Sequence, residues 1–114
     1  ETIKKKYQEL LELMRTEKPY LEPSLSLQML AEKLDTKAHL LSKIINTKAA
    51  CNFFDFVNSY RIDEFKSELQ NPDNKNYTLL SIASGCGFNS KTAFHRVFKN
   101  HTGTTPSEYF KSIT

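Results

Sequence analysis

Apolar residues recur along the chain at the three- and four-residue spacing that places them on one face of a helix. In the first such stretch, residues 3–17, five of them form a single stripe, with the charged residues largely off it: Ile3, Tyr7, Leu10, Leu11 and Met14. Pro19 ends this predicted helix. The stripe is typical of core packing, because two heptads are too few to favour a coiled-coil seam. No alternating apolar and polar run is long enough to predict a strand.

Three more helices are predicted in the next part of the chain. Ser26, a good N-cap, precedes a short helix over residues 27–34, and a second short helix covers about residues 38–46. A long helix with a broad apolar face then begins at about Asn52, which is also a favourable N-cap, and it ends before Pro72.

The last third of the chain repeats this order of elements. Thr78 caps a short helix, and Asn89 or Ser90 caps a second helix that Gly103 ends. The last helix opens with the pattern of a capping box, in which Thr is the N-cap, Pro the first helical residue and Glu the third: Thr105-Pro106-Ser107-Glu108.

The two halves also match residue by residue. At an offset of 52, Ala31 corresponds to Ala83 and Asp35 to Gly87. After one extra residue in the second turn the offset becomes 53, and the matched pairs are Leu41 with Phe94, Lys43 with Arg96, Ile44 with Val97, Ile45 with Phe98, Asp55 with Glu108 and Phe56 with Tyr109. Self-similarity at a fixed spacing indicates a duplicated supersecondary unit.

Each copy has the features of a helix-turn-helix. A small residue, Ala31 or Ala83, lies where the first helix must let the second cross closely, and a turn of three or four residues separates the two helices. The second helix of each copy has a polar outward face whose side chains can bind base edges and phosphates: Ala38, His39, Ser42 and Lys43 in the first, and Lys91, Thr92, His95 and Arg96 in the second.

The charge distribution bears on the partner of these helices. The net charge is +3, and all of the excess lies in residues 71–114, which hold five basic and two acidic side chains. A polyanion is one partner that such an excess would fit. An ordinary solvated surface explains the charge equally well.

Several classes of protein are excluded or disfavoured. Apolar residues make up 39% of the chain, enough for a packed core of about one small domain. Cys51 and Cys86 are too few for a metal cluster or a disulfide scaffold, and we interpret them as reduced thiols lining the core. The sequence contains no membrane-length apolar run, signal segment, nucleophile motif or phosphate loop, which predicts no enzyme activity, no cofactor and no metal.

Residues 87–110, GFNSKTAFHRVFKNHTGTTPSEYF, resemble the signature segment of the AraC/XylS transcriptional regulators. Nine positions fit that pattern: Gly87, Phe88, Phe94, Arg96, Phe98, Lys99, Gly103, Pro106 and Tyr109. The first half is also similar, through Leu30-Ala31, Leu41-Ser42 and Tyr60-Arg61-Ile62. The resemblance covers about residues 26–112.

Four positions depart from the family pattern. Asp35 and Ala50 stand where the family usually or often has Gly, Lys37 stands where Ser or Thr usually caps the recognition helix, and Phe110 replaces a common Arg. Asp adopts the left-handed backbone conformation at modest cost, so we expect the fold to be kept.

The resemblance implies an all-α, homeodomain-like fold of about seven helices, in which a long linker helix joins two helix-turn-helix units. Residues 1–25 would then form an N-terminal helix and junction, that helix being either the tail of the junction or an extra helix packed on the first unit. Residues 26–114 would form the DNA-binding domain, with these parts: a first helix-turn-helix at 26–51, the linker helix at 52–70, a second helix-turn-helix at 78–104 and a C-terminal helix at 105–112.

The function implied by the resemblance is sequence-specific binding of double-stranded DNA by the output domain of a transcription activator. Each unit would place its second helix in a major groove on one face of the duplex, in segments about 34 Å apart. The resemblance also implies two further partners, RNA polymerase and an upstream sensor or dimerisation domain. The implied location is the cytoplasm at the nucleoid, with no membrane contact by this domain. Because the chain begins with Glu1, we expect a processed chain or a fragment. The alternative is a helical protein-interaction module without base readout.

Twelve residues are candidates for contact with DNA. Seven would read bases: His39, Ser42, Lys43, Lys91, Thr92, His95 and Arg96. Five would bind phosphate: Lys37, Asn89, Ser90, Lys99 and Thr105.

Other interpretations remain open for several side chains. His39 and His95 are alternatively solvated surface residues, and Thr105 is first of all a helix cap. Arg61 is either a DNA contact or, as the family suggests, a structural residue of the linker helix. A set of aromatic residues has the helical spacing of core packing rather than of a platform for single-stranded bases: Phe53, Phe54, Phe56, Phe94 and Phe98.

Overall fold

The computed structural model describes residues 2–114, which fold into seven α-helices and two short 3-10 turns, with no strand in that range. The elements are α1 (Thr2–Thr16), a 3-10 turn (Pro19–Leu21), α2 (Leu27–Lys33), α3 (Ala38–Lys48), α4 (Phe53–Leu69), a second 3-10 turn (Pro72–Asn74), α5 (Leu79–Ser84), α6 (Lys91–Thr102) and α7 (Pro106–Ile113). The predicted all-α class and the seven helices are confirmed.

The first compact unit extends to Val57 and contains α1, α2 and α3. Both α1 and α2 contact α3. The buried side chains of these helices include Leu10 and Met14 of α1, Leu30 and Ala31 of α2, and Leu41, Ile44 and Ile45 of α3. Helix α1 is therefore packed on the first helix-turn-helix, one of the two arrangements expected from the sequence.

The second compact unit, Asn58–Thr114, is built around a cluster of aromatic rings. The centroid of the Phe94 ring on α6 lies 4.8 Å from Phe65 on α4 and 5.1 Å from Phe88 in the turn. Phe98 contacts Phe65 at 5.5 Å and Tyr109 of α7 at 5.5 Å. These edge-on and tilted contacts stabilise α6 from its buried side.

Helix α4 contributes to both units with different residues. Phe53, Phe56 and Val57 are buried at its start, and Ile62 and Phe65 are buried further along. The prediction that Phe54 belongs to the core is wrong, because its side chain is 71% exposed. A helix advances about 100° per residue, so Phe54 points away once Phe53 and Phe56 face inward.

The two cysteines are free thiols with different surroundings. Cys86 is buried in the core of the second unit, as predicted. Cys51 is only half-buried, at the end of the segment that follows α3, so its predicted place in the core is only partly met. Burial and the nearby carboxylate of Asp55 both raise the pKa of the Cys51 thiol. A raised pKa lowers the thiolate fraction and with it the reactivity.

The predicted helix caps are formed by hydrogen bonds that are local in sequence. The Met29 N–H donates to Ser26 Oγ at 3.1 Å, the Asp55 N–H to Asn52 Oδ1 at 2.8 Å and the Ser81 N–H to Thr78 Oγ1 at 3.0 Å. Ser90 rather than Asn89 caps α6, through the Ala93 N–H at 3.1 Å. Lys37, which precedes α3, makes no side-chain cap hydrogen bond.

Both turns of the helix-turn-helix units contain a residue with positive φ. Asp35 has a φ of 53° and Gly87 a φ of 103°, and these two positions match in the repeat. The ends of the recognition helices also match, because Ala50 has a φ of 58° and Gly103, 53 residues later, a φ of 82°. Two of these left-handed positions therefore carry a Cβ that the second copy avoids.

The matched positions Ala50 and Gly103 predict that exchanging alanine and glycine changes stability in opposite directions. Gly103→Ala is expected to destabilise the protein by about 1–2 kcal/mol, the cost of a Cβ in the left-handed region. No atom lies within 4 Å of a Cβ built on Gly103, so this cost is backbone strain alone. Ala50→Gly relieves the same strain and is expected to stabilise by up to about 1 kcal/mol, reduced by the greater freedom of Gly in the unfolded chain.

Melting temperatures of the two variants and of Ala49→Gly, a control at a position with a φ of −100°, test this. Ala49→Gly should destabilise. If Ala50→Gly and Ala49→Gly both raise the melting temperature, or if neither does, the assignment of strain to position 50 is contradicted.

Candidate nucleic-acid interface

Helix α3 buries one face and exposes another. Leu41, Ile44 and Ile45 are buried, whereas His39 and Lys43 are exposed and Ser42 is half-buried. All three candidate base readers of the first unit are therefore on the side of α3 that faces away from the core.

Helix α6 has the same arrangement. Phe94, Val97 and Phe98 are buried, and the candidate readers Lys91, Thr92, His95 and Arg96 are all exposed. Arg96 lies at the position that Lys43 occupies in α3, because the two residues are separated by the repeat offset of 53.

Asn46 is a candidate that the sequence analysis missed. It is exposed and lies one turn beyond Ser42, to which its Nδ2 donates twice, at 2.9 Å to the carbonyl oxygen and at 3.4 Å to Oγ. Its match in the repeat is Lys99, which is exposed in the last turn of α6. The register i, i+3, i+4, i+7 was the signal for it.

Each second helix thus presents four residues in one register. We call these sets the first polar face (His39, Ser42, Lys43 and Asn46) and the second polar face (Thr92, His95, Arg96 and Lys99). Every member is a hydrogen-bond donor or acceptor suited to base edges and phosphates. Neither face contains a carboxylate that would repel a polyanion.

The remaining candidates for phosphate contact lie at helix starts. Lys37 is exposed directly before α3, and Asn89 and Ser90 are exposed directly before α6. Ser90 and Thr105 accept cap hydrogen bonds from the backbone. At Ser90, accepting such a bond leaves the hydroxyl proton available to donate, so capping there is compatible with a phosphate contact.

The geometry bears on two other interpretations of these side chains. Within residues 2–114, no three His, Cys, Asp or Glu side chains lie close enough to hold a metal ion. Arg61 is half-buried on α4 and donates to Asn58 Oδ1 at 3.2 Å, which supports the structural interpretation of this residue.

None of the helices in the described range is both long and apolar enough to cross a membrane.

The capping box of α7 is complete. The Glu108 N–H donates to Thr105 Oγ1 at 3.1 Å, and the Thr105 N–H donates to Glu108 Oε1 at 2.9 Å. The bond from the Thr105 N–H, and then the Thr105 side chain, hold the pKa of the Glu108 carboxyl below its ordinary value, with a smaller contribution from Lys99 and Lys111.

A lowered pKa in the folded state makes the contribution of Glu108 to stability depend on pH. The contribution is present above the ordinary pKa of 4.5 and is lost as the pH falls through the lowered pKa of the folded state. Glu108→Gln keeps an acceptor for the Thr105 N–H but does not titrate. Melting curves between neutral and acidic pH should show a shallower acid loss for this variant. Parallel curves would contradict the role of the Glu108 carboxylate.

Comparisons with known proteins agree with the assignment of helix-turn-helix units. A family model described as a helix-turn-helix domain matches residues 30–112. An uncharacterised HTH-type transcriptional regulator of Staphylococcus aureus strain COL is 35% identical over 85 residues, which cover 75% of this chain and 11% of that protein. The Msm operon regulatory protein of Streptococcus mutans is 28% identical over 90 residues, which cover 79% of this chain and 31% of that protein. The chain thus spans less than a third of the length of either relative.

A solved structure gives the same result for the fold. The C-terminal domain of the two-component response regulator yesN from Fusobacterium nucleatum superposes with a TM-score of 0.73 at 27% identity, covering 91% of this chain and 96% of that chain. Two helix-turn-helix units with polar second helices define a DNA-binding domain. The chain belongs to the AraC/XylS family of helix-turn-helix transcriptional regulators.

Proposed function

We propose that the chain reads a bipartite site in duplex DNA with the first polar face on α3 and the second on α6. The observation that carries this proposal is the repeat itself. The same four positions are polar on both second helices, and the residues behind them are buried in each unit. Core packing alone requires the buried pattern twice, but it does not require a second set of donors in the same register.

The residue types on the two faces differ in what they recognise. Arg96 can donate two hydrogen bonds to guanine O6 and N7, and Asn46 can pair in the same bidentate way with adenine N6 and N7. Thr92 offers a methyl group to thymine and a hydroxyl to either base type. Phosphate contacts from Lys37, Asn89, Ser90, Lys99 and Thr105 would fix the register without reading sequence.

The whole protein to which this domain belongs is proposed to be a transcription activator in the cytoplasm, bound at the nucleoid. The support is the family, together with the greater length of both curated relatives and the C-terminal position of the matching domain in the Fusobacterium regulator. An upstream sensor or dimerisation domain and RNA polymerase are the proposed partners. No enzyme activity, cofactor or membrane contact is proposed for the domain itself.

Selection of bound duplexes from a random pool, followed by titration at several salt concentrations, tests the proposal. We expect an enriched bipartite sequence. If about six phosphates are neutralised, the logarithm of the association constant should fall with the logarithm of salt concentration at a slope near −5. A flat salt response without an enriched sequence would contradict DNA reading and favour the protein-interaction alternative.

A further inference from the structure

Lys6 of α1 makes a hydrogen bond to a distant part of the first helix-turn-helix. Its Nζ donates to the carbonyl oxygen of Leu34 at 2.9 Å and to Glu9 Oε1 at 3.2 Å. The Lys6 side chain is only 22% exposed. Leu34 is the C-cap of α2 and directly precedes the turn residue Asp35. An ammonium group there satisfies a carbonyl at a helix C-terminus, where a positive charge is also favoured by the helix dipole.

The first turn lacks two features that the second turn has. The second turn has Gly87 at its left-handed position, and its second helix starts at the side-chain cap of Ser90. The first turn has Asp35 at the left-handed position, and its second helix starts after Lys37 without a side-chain cap. Both turns contain a backbone hydrogen bond from the residue after the left-handed position back to the small alanine, from Thr36 to Ala31 at 3.0 Å and from Phe88 to Ala83 at 3.3 Å. The bond from Lys6 adds a stabilising contact at the C-cap of α2, directly before the turn that lacks this glycine and serine.

The start of α1 also lies beside the first polar face. Thr2, Ile3 and Lys6 line one side of a cavity of about 150 Å³, and the other side is formed by the turn and α3 through Thr36, Leu40, Lys43 and Ile44. Lys43 belongs to the first polar face, so α1 borders both the turn and a residue that faces DNA in the proposed complex.

We propose that Lys6 is a positioning residue that sets the orientation of α3 through the Leu34 carbonyl, and that base reading by the first polar face depends on it. This inference rests on the proposed function, because it assigns a role within the reading of DNA. It also gives α1, which lies outside the region matched by the family model, a part in recognition.

The test measures affinity for the selected site and for single-base variants in each half of it. Lys6→Met removes the donor, Lys6→Arg keeps it, and Lys5→Met removes the same charge from an exposed neighbour. We expect Lys6→Met to lower affinity on the order of tenfold, in line with one charge-assisted hydrogen bond. The loss of base preference should be confined to the half of the site read by α3, Lys6→Arg should restore most of it, and Lys5→Met should leave the preference unchanged.

The binding data distinguish a failure of the proposed function from a failure of the inference about Lys6. If the unaltered protein enriches no sequence, the proposed function fails, whatever Lys6 does. If the unaltered protein enriches a site and Lys6→Met loses affinity uniformly over all variants, with a salt slope smaller by about one, Lys6 is a phosphate contact and the inference is overturned. Unchanged binding overturns it as well. Should Lys6→Met melt too low for titration, the same comparison is made in an Asp35→Gly background, in which the first turn has the glycine of the second.

Discussion

Replacing Arg96 by alanine is expected to weaken binding to the best selected site by about 1–3 kcal/mol and to relax the preference at one base pair. Arg96 is exposed at the centre of the second polar face, next to the buried Val97. Its planar guanidinium can hold guanine O6 and N7 with two parallel hydrogen bonds, and no other base offers this pair of acceptors.

Lys43→Ala is the matched control, because Lys43 occupies the same position of the first copy. Its ammonium acts more as a point charge than as a fork, so we expect a smaller loss of affinity and a smaller change in sequence preference. Both side chains are exposed, and both variants should keep their helical circular dichroism. Affinities for the selected site and its single-base variants decide the matter. Equal losses, uniform over all sequences, would show that both residues touch phosphate only.

The features that the sequence predicted best are those determined by neighbouring residues. The caps at Ser26, Asn52, Thr78 and Thr105 formed as expected, because each depends on one side-chain oxygen and on an N–H two or three residues later. The left-handed conformations at Asp35 and Gly103 are local in the same sense. Composition and spacing are sufficient for such features.

Two features that the sequence did not predict depend on how helices pack against the rest of the fold. The exposure of Phe54 follows from the rotation of α4 about its own axis, which is set by the packing of Phe53 and Phe56. The bond from Lys6 to the Leu34 carbonyl spans 28 residues and requires α1 to lie against the first unit. Asn46 was within reach of the sequence analysis, because it lies inside the predicted helix and in the register of His39, Ser42 and Lys43, but the predicted polar face stopped at Lys43.

Replacing Phe94 by alanine is expected to have the largest effect on stability, a loss of about 3–5 kcal/mol. The side chain is 1% exposed, and its ring contacts those of Phe65, Phe88 and Phe98 at centroid distances of 4.8, 5.1 and 5.9 Å. Removing it deletes the ring at the centre of the second unit and leaves a cavity that the neighbouring aromatic rings are too rigid to fill. Small domains have a total stability of about 5–15 kcal/mol, so this loss is a large share of the whole.

The repeat itself supplies the control for this substitution. Leu41 occupies the position of Phe94 in the first unit and is fully buried there, so the fold accepts leucine at this place. Phe94→Leu keeps most of the buried apolar volume and is expected to cost less than about 1.5 kcal/mol. Denaturant unfolding followed by circular dichroism compares the two variants, and equal losses would contradict the cavity argument. The same substitution also predicts an effect on binding. Because His95 and Arg96 follow Phe94 on α6, we expect Phe94→Ala, on warming, to lose base preference first in the half of the site that α6 reads. The half read by α3, whose buried residues belong to the other unit, should keep its preference at temperatures where only the second unit has begun to unfold.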